Sequence, residues 1–151
     1  VTGWRVGWTI APPAISECIR RVHDFLTVGA PHPLQMAAVA ALRIEQSYYA
    51  ALAACYARKR DLLLPLLRAL GFQVFQPGGA YYLWTDITGL TRQTGWEYAD
   101  YLVREIGVAT VPGNGFYFHR GLGKNNVRFT FSKKEETLLA AAARLEKLRA
   151  G

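Results

Sequence analysis

Two arginines near opposite ends of this 151-residue chain have the surroundings that anion binding requires. Arg128 lies in the segment NVRFTFS, residues 126–132, whose alternation is typical of a β-strand. Val127, Phe129 and Phe131 then share one face, and Arg128 points to the other. A guanidinium fixed by a strand offers a planar fork that suits a carboxylate. The alternative is an arginine on the solvated side of an edge strand, without a ligand.

The second arginine, Arg5, lies in the segment TGWRVGW, residues 2–8. A fixed guanidinium also suits a dianionic phosphate, because both of its edges donate hydrogen bonds. The alternative is a structural arginine that packs against Trp4 in a cation–π contact. Residues 4–10 are rich in Val, Ile and Trp, which predicts a strand that ends at Pro12 and Pro13.

The remaining polar groups favour no other chemistry. Three histidines and two cysteines lack the spacing of a metal site: His23, His32, His119, Cys18 and Cys55. No Ser-His-Asp arrangement can be argued, and the glycine-rich turns after residue 112 lack the Gly-Lys-Ser/Thr ending of a phosphate loop. We therefore expect no metal and no phosphate-loop site.

Composition limits the class of protein. With 51% apolar residues over 151 positions, the chain is long and apolar enough for one domain with a real core. The net charge is +7, but the basic residues are scattered, so nucleic-acid binding is a weaker alternative. Cys18 and Cys55 lie in helical apolar patterns, which predicts buried thiols in a reducing compartment. No apolar run is long enough to span a membrane, and no secretory signal is visible.

The apolar periodicity changes along the chain. The 3.6-residue period predicts helices over 15–26, from 34 to 42, and over about 48–70 with Pro65 inside it. After Gly71 the pattern predicts strands over 72–75, 81–85, 108–111 and 127–131. Two Thr/Ser-x-x-Glu boxes predict helix starts, at 94–97 and at 132–135.

Five segments together resemble the fold-type I, pyridoxal-phosphate-dependent aminotransferases of class I and II. They are, in chain order, TGWRVGW (2–8), RKRD (58–61), PGGAYYLW (77–84), VPGNGF (111–116) and NVRFTFS (126–132). The segment HDFLTVG at 23–29, followed by PLQ at 33–35, is closest to kynurenine-aminotransferase-like members. The resemblance covers nearly the whole chain.

The resemblance implies a fold and an arrangement of domains. It implies an α/β chain that forms the C-terminal portion of the aspartate aminotransferase-like fold. Residues 1–47 would be the remnant of the large cofactor-binding domain, and residues 48–151 an α+β small domain, joined by the helix at about 48–70. A lone strand in the first part also suggests missing sequence.

The same resemblance assigns roles to both arginines. Arg5 would bind the phosphate of pyridoxal 5'-phosphate, and Arg128 the α-carboxylate of the substrate. The lysine that holds the cofactor as a Schiff base would lie upstream of Val1, so no residue of this chain is assigned a catalytic role.

The implied activity is the transfer of an amino group between an L-amino acid and a 2-oxo acid, in a cytoplasmic homodimer when full length. This chain alone would be an inactive C-terminal fragment. Two alternatives stay open: a stand-alone, non-catalytic binding or interaction domain of the same fold, and a basic nucleic-acid-binding domain, which would be retained on heparin with steep salt dependence.

Overall fold

The computed structural model describes residues 2–149 and divides the chain into two units, with the boundary between Tyr49 and Ala50. The division of the chain into domains at residues 47 and 48 stays a prediction. No helix within the described range is both long and apolar enough to cross a membrane.

The first unit is helical. A 3₁₀ turn at Thr2–Trp4 is followed by helix α1 (Pro13–Thr27) and helix α2 (His32–Leu42). The predicted strand over 4–10 is wrong, because residues 6–12 have no regular structure. A strand exists only where another segment pairs with it, and none of the described sheet pairs includes this segment.

The apolar stripe predicted for α1 is present but lies on the surface. No side chain of this fully described helix is buried, and Phe25 is 95% exposed. Cys18 is exposed and Cys55 is half-buried, and both thiols are free. The prediction of two buried thiols is therefore wrong.

Helix α3 (Gln46–Ala69) begins in the first unit and continues into the second. It carries Pro65 without ending there. It ends at Ala69, and Gly71 follows with a φ of +91°, in the left-handed region. The amide of Phe72 donates to the Leu67 carbonyl at 3.0 Å, which satisfies a carbonyl that the helix end leaves free.

In its described part, up to residue 149, the second unit contains one antiparallel sheet of four strands in the order β1-β2-β4-β3. The strands are β1 (Gln73–Phe75), β2 (Tyr82–Asp86), β3 (Val111–Pro112) and β4 (Asn126–Thr130). Helix α4 (Gly95–Tyr101) runs into a π-helical turn at Leu102–Ile106, and helix α5 (Glu135–Leu145) runs into a 3₁₀ turn at Glu146–Arg149.

The core lies on one face of this sheet. Leu83, Val127 and Phe129 from the strands pack in one cluster with buried side chains of α3, α4 and α5, among them Leu67 and Leu145. Because side chains alternate along a strand, the opposite face carries the half-buried residues of β2 and β4. That second face is where Arg128 lies.

One of the two predicted capping boxes forms. The Thr94 hydroxyl accepts from the Glu97 amide, and the Glu97 carboxylate accepts from the Thr94 amide at 2.7 Å. The second box, at 132–135, is wrong: α5 starts at Glu135 with Lys134 as its N-cap. The Ser132 hydroxyl instead shares a 2.8 Å hydrogen bond with the Thr130 hydroxyl at the end of β4, so it does not cap the helix.

Candidate functional site

Arg128 lies on a central strand of the sheet. Its register partners are Trp84 on β2 and Val111 on β3. Val127 and Phe129, on either side of it in sequence, are 0% and 3% exposed, so the core fixes the strand that presents the arginine. The alternative of an edge-strand arginine does not hold, since β4 is paired on both sides.

Two aromatic rings lie against the Arg128 guanidinium, and we call them the aromatic pair. The guanidinium carbon is 3.9 Å from the ring centroid of Tyr82 and 4.6 Å from that of Phe116. At these distances a cation is attracted by the ring faces. Phe116 also contacts Trp84 edge-on, with ring centroids 5.5 Å apart. Tyr82 thus lies on β2, and Phe116 lies in the segment that follows β3. β2 and β3 are the two strands that flank β4.

The guanidinium has free donors. Among residues 2–149, none of the ion pairs involves Arg128, and its buried Nε has no hydrogen-bond partner. The buried hydroxyl of Thr110 is also unpartnered. No described acidic group neutralises the positive charge of Arg128, and this arrangement favours an incoming anion.

These groups line an open pocket of about 450 Å³. Its lining combines two cations with hydroxyl groups and contains no Asp or Glu from the described residues; the members used below are Tyr82, Thr110, Arg128 and Lys133. Interaction with the Tyr81 hydroxyl, and then burial, raises the pKa of Tyr82. The Tyr82 phenol is therefore neutral near pH 7, and the pocket carries a net positive charge.

Phe116 reaches the guanidinium because of a tight turn. β3 leads directly into a 3₁₀ turn at Gly113–Phe116. Gly113 is buried, and a Cβ built on it would be only 2.7 Å from the Cβ of Asn126. A side chain at this position would push the turn away from the first residue of β4. The glycine thus allows the approach that brings Phe116 over the arginine.

Arg5 lies in the first unit, directly after the Thr2–Trp4 turn. Its φ is +56° and its side chain is exposed. None of the cation–π contacts or ion pairs found among residues 2–149 involves it, so the structure gives no support to packing against Trp4. An exposed guanidinium without an internal partner fits a phosphate, and that role stays a prediction.

The other candidate groups do not form a site. No group of three or more His, Cys, Asp or Glu residues in the described range could hold a metal ion. Sequence reasoning missed the contacts of Tyr82 and Phe116 with Arg128, although both rings belong to segments that it singled out. Tyr81 and Tyr82 both line the pocket, and the ring face of Tyr82 lies against the guanidinium.

Comparison with known proteins gives a consistent result. The model of the family "aminotransferase class I and II" matches residues 1–145. The chain is 38% identical over 148 residues to the methionine aminotransferase of Escherichia coli (strain K12), which covers 98% of this chain and 38% of that protein. It is 36% identical over 169 residues to the kynurenine–oxoglutarate transaminase of Dictyostelium discoideum, with 99% and 39% covered.

A solved structure agrees with these relatives. The N-succinyldiaminopimelate aminotransferase from Mycobacterium tuberculosis superposes with a TM-score of 0.81 at 33% identity, over 97% of this chain and 38% of that one. The chain thus spans about two fifths of the length of the proteins that it matches.

Proposed function

This chain belongs to the class I and II aminotransferases, and we propose that it supplies the substrate-carboxylate site of an enzyme that transfers amino groups. The family and the α/β, aspartate aminotransferase-like fold expected from the sequence are both confirmed. The observation that carries the proposal is the guanidinium of Arg128, which lies on a central strand in a pocket to which residues 2–149 contribute no carboxylate.

In this proposal Arg128 binds and orients the substrate. Its Nη atoms donate to the two oxygens of an α-carboxylate, because a planar fork matches a planar acceptor. The paired strand fixes the backbone of Arg128, so a carboxylate bound to its side chain lies within a limited distance of the sheet. The Thr110 hydroxyl has no hydrogen-bond partner within residues 2–149 and is available as a further donor at the same pocket.

The cofactor of this family is pyridoxal 5'-phosphate, and Arg5 is the residue that we assign to its phosphate. When bound, the cofactor supplies an electron sink for the bond that is cleaved at the substrate Cα. None of the five lysines, Lys59, Lys124, Lys133, Lys134 and Lys147, has the Ser-x-x-Lys context before Gly-Trp-Arg. We therefore assign no cofactor-holding lysine and no catalytic residue to these 151 residues, and propose that they do not transaminate alone.

For the whole protein we propose an L-amino acid as donor, a 2-oxo acid as acceptor and a homodimer as the assembly. We also propose that residues 1–47 belong to the large domain and residues 48–151 to the small one. The names of the relatives mentioned above differ in the amino acid that they specify. We accordingly assign the substrate carboxylate to Arg128 and specify no substrate side chain.

The test is direct binding of a carboxylate to the 151-residue chain. We would titrate propionate into ¹⁵N-labelled protein and follow the Arg128 Nε–H resonance by NMR. Arg128→Gln should weaken binding about tenfold or more, since a charge-assisted hydrogen bond contributes about 1.5–3 kcal/mol. Arg120→Gln is the matched control, because Arg120 is exposed and does not line the pocket. Equal binding by both variants would contradict the proposal.

A further inference from the structure

Something other than a hydrogen-bond acceptor must hold the Arg128 guanidinium. An arginine side chain has many rotamers, and a free one would lose most of its orientation to thermal motion. Arg128 has no ion-pair partner among the described residues, and its Nε is buried without an acceptor. The contacts that remain are with the faces of aromatic rings.

We propose that the aromatic pair, Tyr82 and Phe116, positions Arg128 for the substrate carboxylate. The two rings hold the guanidinium through its π face and leave its Nη donors free. The inference rests on the proposed function, since it assigns a task to the neighbours of the same arginine. Both are positioning residues: they act through Arg128.

Aromatic rings and an acidic residue would both hold Arg128, but they differ in which of its hydrogen-bond donors they leave free for the substrate. An Asp or Glu beside Arg128 would also fix it, but would occupy the donors that the substrate needs and would have to be displaced. Ring faces attract the cation without accepting its in-plane hydrogen bonds. Because the Nε atom is buried, the ligand meets the Nη1–Nη2 end of the fork. Among the described residues, no carboxylate lines the pocket, as this arrangement requires.

Phe116 is the better residue for a test. It is 49% exposed and stands in the 3₁₀ turn after β3, so its removal leaves the buried core intact. The Phe116 ring contacts Trp84 edge-on, and Trp84 is the register partner of Arg128. This contact stabilises the position of the Phe116 ring next to β4. Phe118 is a matched control: it lies two positions further on, is 97% exposed and has a ring contact with His119.

The experiment compares Phe116→Leu with Phe118→Leu in the 151-residue chain. We expect propionate to bind Phe116→Leu about three- to tenfold more weakly than the unaltered chain, and Phe118→Leu to bind like the unaltered chain. Without ligand, ¹⁵N relaxation at the Arg128 Nε should show greater motion in Phe116→Leu only. Tyr82→Phe, which keeps the ring face, should retain the affinity that Tyr82→Leu loses.

The outcomes separate the inference from the proposed function. If the unaltered chain binds propionate at Arg128 and Phe116→Leu binds equally well, the positioning role is overturned and the carboxylate site stands. If Phe116→Leu only lowers the melting temperature, with unchanged Nε relaxation, the ring is structural and the inference also fails. If the unaltered chain shows no shift at Arg128, the proposed function fails, and the inference fails with it.

Discussion

The backbones of Gly113 and Gly123 lie in direct contact. A Cβ built on Gly123 would be 2.6 Å from the carbonyl oxygen of Gly113, a distance that real Cβ atoms do not reach. The contact closes the segment between them into a loop and places it beside Asn126, where β4 begins. Phe116 is carried by this loop, so the approach of two glycines sets the position of a ring that touches Arg128.

Gly123→Ala should therefore damage both stability and ligand binding. The new methyl group would overlap Gly113, and the φ of +67° at position 123 is strained for alanine. We expect a loss of about 1–3 kcal/mol in the free energy of unfolding, measured by urea denaturation. Propionate affinity should fall too. Gly115→Ala is the control, because open space surrounds that position; equal effects at the two sites would contradict this account.

The Thr94–Glu97 capping box should make stability depend on pH. Hydrogen bonds from the Thr94 amide, and then from its hydroxyl, lower the pKa of the Glu97 carboxyl below its ordinary value of 4.5. A group whose pKa is lower in the folded state stabilises the fold fully above its unfolded pKa, and this contribution disappears as pH falls through the folded value. Stability should consequently decrease below about pH 4.5, in part through this residue.

Glu97→Gln tests that pH dependence. Glutamine can still accept from the Thr94 amide but does not titrate, so the variant should lose less stability than the unaltered chain between about pH 6 and pH 3. Urea denaturation at several pH values measures the difference. Thr94→Ala removes the cap itself and should cost about 1 kcal/mol near neutral pH. Parallel pH profiles for Glu97→Gln and the unaltered chain would refute the assignment.

Leu67 is the best position for testing the core. Its side chain is 0% exposed on α3 and lies in the cluster that contains Val127 and Phe129 from β4. Leu67→Ala should reduce the free energy of unfolding by about 2–5 kcal/mol, because it removes apolar contacts and leaves a cavity. Leu62, on the same helix, is 40% exposed, so Leu62→Ala should cost clearly less. Thermal or urea unfolding of the two variants gives the comparison.

Local patterns predicted the elements that depend on local chemistry. The long helix expected at about 48–70 is observed at Gln46–Ala69, and the alternation around Arg128 assigned its face correctly. Alternation follows from backbone geometry, so a single strand is enough to reveal which side chains share a face. The Thr94 box depends only on four consecutive residues, and it too is confirmed.

The errors come from contacts between distant segments. Residues 4–10 have strand-like composition, but no described strand pairs with them. The Ser132 hydroxyl is hydrogen-bonded to the Thr130 hydroxyl, so it does not cap α5. The contacts of Tyr82 and Phe116 with Arg128 depend on strand order, which no local period encodes.

The central place of β4 has a consequence for the order of events during synthesis. The Thr85 hydroxyl on β2 donates to the Val127 carbonyl on β4, and these residues are 42 positions apart. Closing so long a segment costs chain entropy before any contact offsets it, so this pairing forms slowly and late. During synthesis, the edge of β2 that pairs with β4 stays unpaired until β4 has left the ribosome. If Arg128 binds the carboxylate as we propose, we expect this affinity to arise only when the sheet is complete, and its time course during refolding to report that last step.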